Sequence, residues 1–343
     1  MSDPLSLRGL EQHEAIERLA TFGARPREAR KLWCQALAPE GLPGDGLLPQ
    51  VRREVARSVA ERQAGPSLRL ASERIDPADG FAKLLFELER GGKVEAVRIP
   101  IHGKHHVVCV SSQTSCALDC AFCATAGLGT PRNLLAEEMV EQVLEVRARA
   151  ELPVKGVVFM GMGEPLANLD AVLRAARILS TGGGPNISGG NITISTAGLL
   201  PGLRRLEAER VPFRLILSVG SAIPEKRRQL MPIEESQPLR EVFPAAARVA
   251  AGRRRRLTLA YVMVAGFNTG EEDARALKAL VGDTPVILDL IDVNDASGRF
   301  LPPDEAELDR FRDALRVVGA PVSRRYSGGK NVEAACGMLA GKG

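Results

Sequence analysis

VVCVSSQTSCALDCAFCATAGLG, residues 107–129, carries three cysteines, Cys116, Cys120 and Cys123, in the pattern C-x-x-x-C-x-x-C. A tetrahedral zinc site or an ordinary iron–sulfur cluster takes four protein ligands, whereas this loop offers three thiolates with no fourth Cys or His close behind. A cubane held by three thiolates keeps one iron open for a substrate or cofactor. Clustered cysteines also arise as small buried hydrophobes, but the close spacing and the aromatic Phe122 just before the last cysteine favour a [4Fe–4S] cluster. The loop begins where the apolar run 107–111 ends. Reactive groups of barrels built from alternating strands and helices sit on loops at the carboxyl ends of strands, so the same stretch points to the fold.

Downstream, the chain repeats strand, loop and helix. Apolar runs at 107–111, 154–160, 191–196, 213–219, 257–264 and 285–291 read as strands. Segments 134–149, 168–180, 201–210, 236–251, 271–281 and 304–318 read as the helices between and after them. Six such units predict an α/β fold, a parallel sheet with right-handed crossovers curved into a partial (βα)6 barrel. Upstream, residues 1–65 place Leu10, Ile16, Leu19 and Phe22 at helical spacing and predict a small helical accessory domain. Residues 66–106 form a linker and short β extension, with Lys83 to Leu88 and Val94 to Ile99 joined as a hairpin across Gly91-Gly92. The barrel and a carboxyl-terminal cysteine loop occupy 107–343, and TGGGPNISGG at 181–190 reads as a loop between helix and strand.

With 343 residues and 45% hydrophobic composition the chain can bury a sizeable core. No apolar run reaches the roughly 18 residues that a membrane span needs, and MSDPLSLRGL lacks the features of a signal peptide, so a cytoplasmic protein without membrane association is expected. Six cysteines, three of them in one loop, read as metal binding in a reducing compartment. The net charge of +4 permits an RNA partner without demanding one. Its densest positive runs are Arg253 to Arg256, Lys226-Arg227-Arg228 and Arg324-Arg325, patterns that usually mark solvated helix ends. The spacing of His102, His105 and His106 before a strand can suggest a metal, but an exposed turn is the favoured reading.

The second strand ends in Gly161-Met162-Gly163-Glu164-Pro165. Two glycines permit close approach of a ligand to the backbone, and Glu164 can accept a hydrogen bond from an ammonium group; a tight strand-to-helix turn looks the same. Ser195, Ser218 and Asn294 follow the third, fourth and sixth strands, where a barrel mouth begins, although each residue type is also a common cap or turn residue.

The three-cysteine spacing resembles the radical S-adenosylmethionine (SAM) superfamily, in which the open iron chelates SAM and an electron cleaves it to a 5′-deoxyadenosyl radical. The turn at Gly163 and Glu164 resembles the motif that holds the SAM amino group there. The resemblance narrows with CVSSQTSCALDCAFCATAGLGTPRNL, GMGEPLANL, ITISTAG, LMPI at 230–233 and EAACGMLAG at 333–341, which look like the RlmN/Cfr family of radical SAM methyltransferases that modify adenine in RNA. The match runs from about residue 90 to 341.

That resemblance implies SAM contacts by Gly163, Glu164, Ser195, Ser218 and Asn294, and a particular chemistry. Cys336 takes a methyl group from one SAM, a second SAM supplies the radical that activates this S-methyl group, and the resulting methylene adds to an adenine ring carbon, carbon 2 favoured over carbon 8. Cys109, a thiol poised near neutral pKa, would take the ring proton and close a disulfide with Cys336 as product leaves. Glu95, in KVEAVRIP, lies at the position of a family carboxylate with a proton-accepting role; by its residues alone it reads as an exposed strand position. The resemblance further implies a ribosomal RNA or tRNA substrate, an electron donor such as flavodoxin or ferredoxin, and a monomer. Three stretches depart from the family: Ser218-Val219-Gly220 stands where Ser-Leu-His is usual, SGGKNVEAACG replaces a more acidic stretch, and PREARKLW lacks the particular aromatic residue usual there, Trp33 being its only ring. The alternatives are the same two-cysteine chemistry on a peptide or small molecule, and a non-catalytic RNA-binding or redox-sensing relative, against which retention of both Cys109 and Cys336 argues.

Overall fold

PREARKLW opens a helix because Pro26 needs no N–H in a first turn and the Glu28 carboxylate accepts the Arg25 N–H at 2.9 Å. The structure, a computed structural model, describes residues 5–43, 48–295 and 297–341, so the outer limits expected for the first and last segments lie outside the described residues. Three helices, α1 (Gln12–Ala20), α2 (Pro26–Ala36) and α3 (Arg53–Ala60), bury their apolar faces around Leu19, Trp33 and Val55. The Trp33 indole N–H, sealed from water, donates to the Leu10 carbonyl at 2.9 Å, so the ring is buried without an orphaned donor. These side chains join one apolar core with those of the barrel.

Next come β1 (Leu68–Ile75), β2 (Ala82–Leu88) and β3 (Lys93–Ile101), a three-stranded antiparallel extension. Gly91 and Gly92, both at positive φ, make the expected β2–β3 turn. The strand β1 was not legible in the sequence because LRLASERI is half polar and keeps only Leu68 fully buried. β3 pairs antiparallel with β4 (His105–Val110), the first strand of the barrel. Here the histidine expectation fails: only His102 sits in the turn, whereas His106 is buried in β4, its N–H donating to the Pro153 carbonyl at 3.0 Å. Burial, aided by the Arg98 charge, lowers the pKa of His106.

From β4 the chain alternates through α4 (Ala136–Arg149), β5 (Val154–Phe159), α5 (Leu169–Ser180), β6 (Ile192–Thr196), α6 (Leu200–Glu209) and β7 (Arg214–Ser218). An extra short helix, α7 (Pro224–Leu230), precedes α8 (Leu239–Gly252), β8 (Leu257–Met263), α9 (Glu271–Val281), β9 (Val286–Asp292), α10 (Glu305–Ala314) and β10 (Val322–Arg324). The ten strands pair in sequence order, parallel from β4 to β10. Among the described residues no ladder joins β10 back to the first strands, so the barrel stays open on one side. The six expected barrel strands are all present; β10 adds a seventh, too short for its run of three residues to read as a strand. Register places Cys109 opposite Val158, Val158 opposite Thr193 and Thr193 opposite Arg214, and this row lines the barrel interior. With a side-chain period of two, Ser195 and Ser218, two residues after Thr193 and Ile216, face the same interior nearer the carboxyl ends.

Candidate active site

Two cavities occupy the interior. The lower is a lumen of about 750 Å3 lined by Cys109, Val158, Thr193, Arg214, Asp289 and Arg325 among others. Above it, at the carboxyl ends of the strands, a chamber of about 160 Å3 is lined by Cys116, Cys120 and Cys123 together with Gly163, Glu164, Ser195, Ser218 and Asn294. Among the described residues, only Met160 and Cys336 line both. The structure therefore gathers the residues that the sequence singled out, Glu95 excepted, around two neighbouring spaces whose linings share Cys336.

Each cysteine is a free thiol. Burial pushes Cys116 up to about 11 and Cys120 higher still, with repulsion between the neighbouring thiolates adding to both. Three soft donors that repel one another when ionised suit a cationic cluster. Among the described residues no three His, Cys, Asp or Glu side chains converge on one point as a single ion requires.

The two glycines of the β5 turn are required by the chain's own packing. A Cβ on Gly161 would lie 2.8 Å from the Ser111 nitrogen, and one on Gly163, at φ +95°, would lie 2.5 Å from the Gln113 Cβ. On the side where a Cβ would stand, the chain's own entry into the cysteine loop approaches the backbone, and both glycines also line the chamber. Gln113 in turn accepts the Glu164 N–H at 2.8 Å, locking loop to turn. The Glu164 carboxylate is buried and receives Thr196 Oγ1 at 2.6 Å, the Leu166 N–H at 2.9 Å and the Ala197 N–H at 2.9 Å. Burial raises its pKa against those donors. A carboxylate has about four acceptor sites, so three occupied sites leave one toward the chamber it lines.

Asn294 Nδ2 donates to Ser327 Oγ at 2.8 Å, the Asp292 carbonyl at 3.0 Å and the Cys336 carbonyl at 3.3 Å, so it fastens the carboxyl-terminal loop to β9. Cys109 is buried in β4, and burial together with the neighbouring Cys336 pushes its thiol up to about 12. The near-neutral thiol expected from the family chemistry is thus corrected: a strand interior offers little to stabilise a thiolate. Glu95 differs from its expected exposure as well. It is 0% exposed, 3.2 Å from Lys83 Nζ, accepts the Ala340 N–H at 2.9 Å and lines neither cavity.

The basic runs are mostly neutralised. Arg227 is fully buried and pairs with Glu234 at 2.5 Å while donating to the Val219 and Ala197 carbonyls at 3.0 Å each. Lys226 pairs with Glu272 and Asp273, Arg324 with Asp292 and Glu305, and Arg325 with Asp289. Arg253 to Arg256 end α8 and precede β8, at the end of the sheet opposite the cysteine loop. Sequence reading missed the Arg325–Asp289 pair inside the lumen and the Arg227–Glu234 pair. A charge inside the apolar run VILDLID was the available signal for Asp289.

The Radical SAM superfamily matches residues 110–279. A protein of Myxococcus xanthus (strain DK1622) called a probable RNA methyltransferase is 46% identical over 338 residues, 98% of this chain and 94% of its own. A probable dual-specificity RNA methyltransferase RlmN of Moorella thermoacetica (strain ATCC 39073 / JCM 9320) is 37% identical over 99% of this chain and 98% of its own. The crystal structure of a radical SAM methyltransferase from Sphaerobacter thermophilus is similar with a TM-score of 0.90 at 33% identity, covering 99% of this chain and 100% of that one. An open α/β barrel with a three-cysteine loop at its mouth and relatives of this kind define a radical SAM methyltransferase. More narrowly, the chain belongs to the RlmN/Cfr family. Membership implies a [4Fe–4S] cluster and SAM, and the donor set of the upper chamber fits both.

Proposed function

We propose that this enzyme methylates carbon 2 of an adenine in RNA, ribosomal RNA or tRNA, by way of a methyl group carried on Cys336. The observation that supports this reading most directly is the position of Cys336, the one cysteine that lines both the chamber of the three cluster cysteines and the lumen that holds Cys109. A methyl carrier has to meet the methyl donor on one side and the acceptor base on the other.

In this reading Cys116, Cys120 and Cys123 hold the cluster, while Gly163, Glu164, Ser195, Ser218 and Asn294 frame SAM, with the free acceptor site of Glu164 toward its ammonium. Bound there, cluster and SAM supply a carbon-centred radical able to take one hydrogen from a methyl group. Cys336 Sγ, its proton passing to solvent, first takes the methyl of one SAM, which leaves as S-adenosylhomocysteine, and a second SAM is spent on activation. The activated methyl carbon bonds to adenine carbon 2. Cys109 removes the proton from that ring carbon as the odd electron of the adduct returns to the group that would supply the radical; the bond from Cys336 Sγ to the transferred carbon then breaks as the two sulfurs join in a disulfide, and the proton held by Cys109 passes to the released carbon to complete the methyl. A thiol held near 12 is a strong base once ionised, which suits a weakly acidic C–H, but little of it is ionised at rest. Glu95, sealed behind Lys83, holds the carboxyl-terminal segment through Ala340.

The lumen has the size of a pocket for one small organic group, which suits a base turned out of its stack. The helical residues 1–65 would grip the RNA. We place the enzyme in the cytoplasm as a monomer, served by a flavodoxin or ferredoxin. Anaerobic incubation of the reconstituted protein with SAM, reductant and host RNA, followed by nucleoside mass spectrometry, should reveal 2-methyladenosine. A methylated Cys336 without any methylated nucleoside would overturn the RNA reading.

A further inference from the structure

The chain holds two tyrosines and one tryptophan; Tyr261 and Trp33 are fully buried, whereas Tyr326 is 71% exposed. Tyr326 lies on the lining of the lumen that also holds Cys109 and Cys336, ten residues before Cys336 on the loop that carries it. An exposed aromatic ring ordinarily swings freely, but this one is fixed at two points. Its hydroxyl donates to Asp79 Oδ2 at 2.9 Å, and Phe81 meets it edge to face with ring centroids 6.1 Å apart.

The fixing is built by the β1–β2 turn. Asp79 Oδ2 also accepts the Gly329 N–H at 2.9 Å, and Asp76 accepts the Asn331 N–H at 3.1 Å and its side-chain amide at 2.9 Å. Gly328 is required where Phe81, Asp79 and Tyr326 meet: a Cβ there would lie 2.5 Å from Phe81 Cε2 and 2.7 Å from Tyr326 Cε1. The β extension therefore clasps the Cys336 loop and sets Tyr326 at the lumen with its ring largely bare.

We propose that Tyr326 is a stacking platform for a nucleobase of the RNA substrate, the target adenine or its neighbour. The inference rests on the RNA reading above. Single-stranded RNA is recognised largely by bases splayed onto aromatic faces, and a rigid ring loses little freedom when a base settles on it. Stacking needs a face and no charge, so it adds affinity without phosphate contact.

The test compares Tyr326→Ala, Tyr326→Leu and Tyr326→Phe in the reconstituted holoenzyme. Tyr326→Ala and Tyr326→Leu should lower kcat/KM for RNA by about tenfold or more, the scale of losing one base–aromatic stack. Tyr326→Leu keeps apolar bulk against Phe81, so it separates stacking from packing and serves where the alanine variant folds poorly. Tyr326→Phe keeps the face and should stay within about threefold of the native enzyme, because it lacks only the bond to Asp79. In all three, methylation of Cys336 by SAM without RNA should be unchanged, and the salt dependence of RNA binding should keep its slope because no phosphate contact is lost. Native kcat/KM in the leucine variant, or a loss confined to Cys336 methylation, would overturn the proposal. A native enzyme that methylates no RNA would remove the reading beneath it, a result seen before any variant is made.

Discussion

At the scale of single residues, the two outlying cysteines divide the reaction between them. Cys336→Ala should retain iron and SAM cleavage yet transfer no methyl, whereas Cys109→Ala should accept methyl on Cys336 and stall as a covalent RNA adduct, visible as a protein–RNA band on a denaturing gel. Two variants with normal turnover would make both residues plain structural cysteines. The elevated Cys109 thiol adds a pH signature of definite sign. With its pKa pushed to about 12, the thiolate fraction grows about tenfold per pH unit throughout the neutral and mildly alkaline range. Adduct resolution, followed by rapid quench, should accelerate from pH 7 to 9 at near that rate. A plateau near pH 7 would point to a different base.

At the scale of elements, the site depends on how strand ends are tied together. Gly163 sits at φ +95° against Gln113, so Gly163→Ala meets both a forbidden backbone region and a side chain already in place. The cysteine loop must shift, and the variant should lose bound iron together with about 1–3 kcal/mol of stability, the usual range for a backbone held in such a region. Iron assay and urea unfolding check this, and a variant with full iron content would contradict it. Arg227 and Glu234 perform the corresponding task for β6 and β7, whose trailing carbonyls at Ala197 and Val219 the guanidinium gathers. Glu234→Ala leaves a buried cation without its carboxylate, a change that costs about 3–5 kcal/mol. Replacement of the pair by Met and Leu should cost far less, as urea midpoints would show.

At the scale of the molecule, the lumen, the chamber and the helical residues need a common RNA. Arg25, Arg27, Arg30, Arg53 and Arg57 are exposed on or beside α2 and α3 and form no ion pair among the described residues. If this face grips phosphates, RNA affinity should fall steeply with salt, and Gln in place of Arg27, Arg30, Arg53 and Arg57 should weaken binding and reduce the salt slope by about one per lost phosphate contact. Gln in place of Arg253 to Arg256, at the far end of the sheet, should change it less. Equal effects from the two sets, measured by fluorescence anisotropy, would contradict an RNA path over the helical face.

How much of this was legible in the sequence follows from the range of the forces involved. Six barrel strands and their helices were written in apolar periodicity, and the cluster loop in cysteine spacing, because both signals are carried by near neighbours in the chain. The same holds for Ser195 and Ser218, whose inward direction follows from the two-residue period of a strand. Long-range placement was not so written. The burial of Glu95 behind Lys83, the neutralised basic runs, the rise of the Cys109 thiol and the fixing of Tyr326 by Asp79 all join residues far apart in the chain. Local sequence determined which elements form and which donors they carry. Only the tertiary structure, which sets burial and charge pairing, decided which of those donors face the lumen, which are spent holding the loop of Cys336, and which thiol stays protonated.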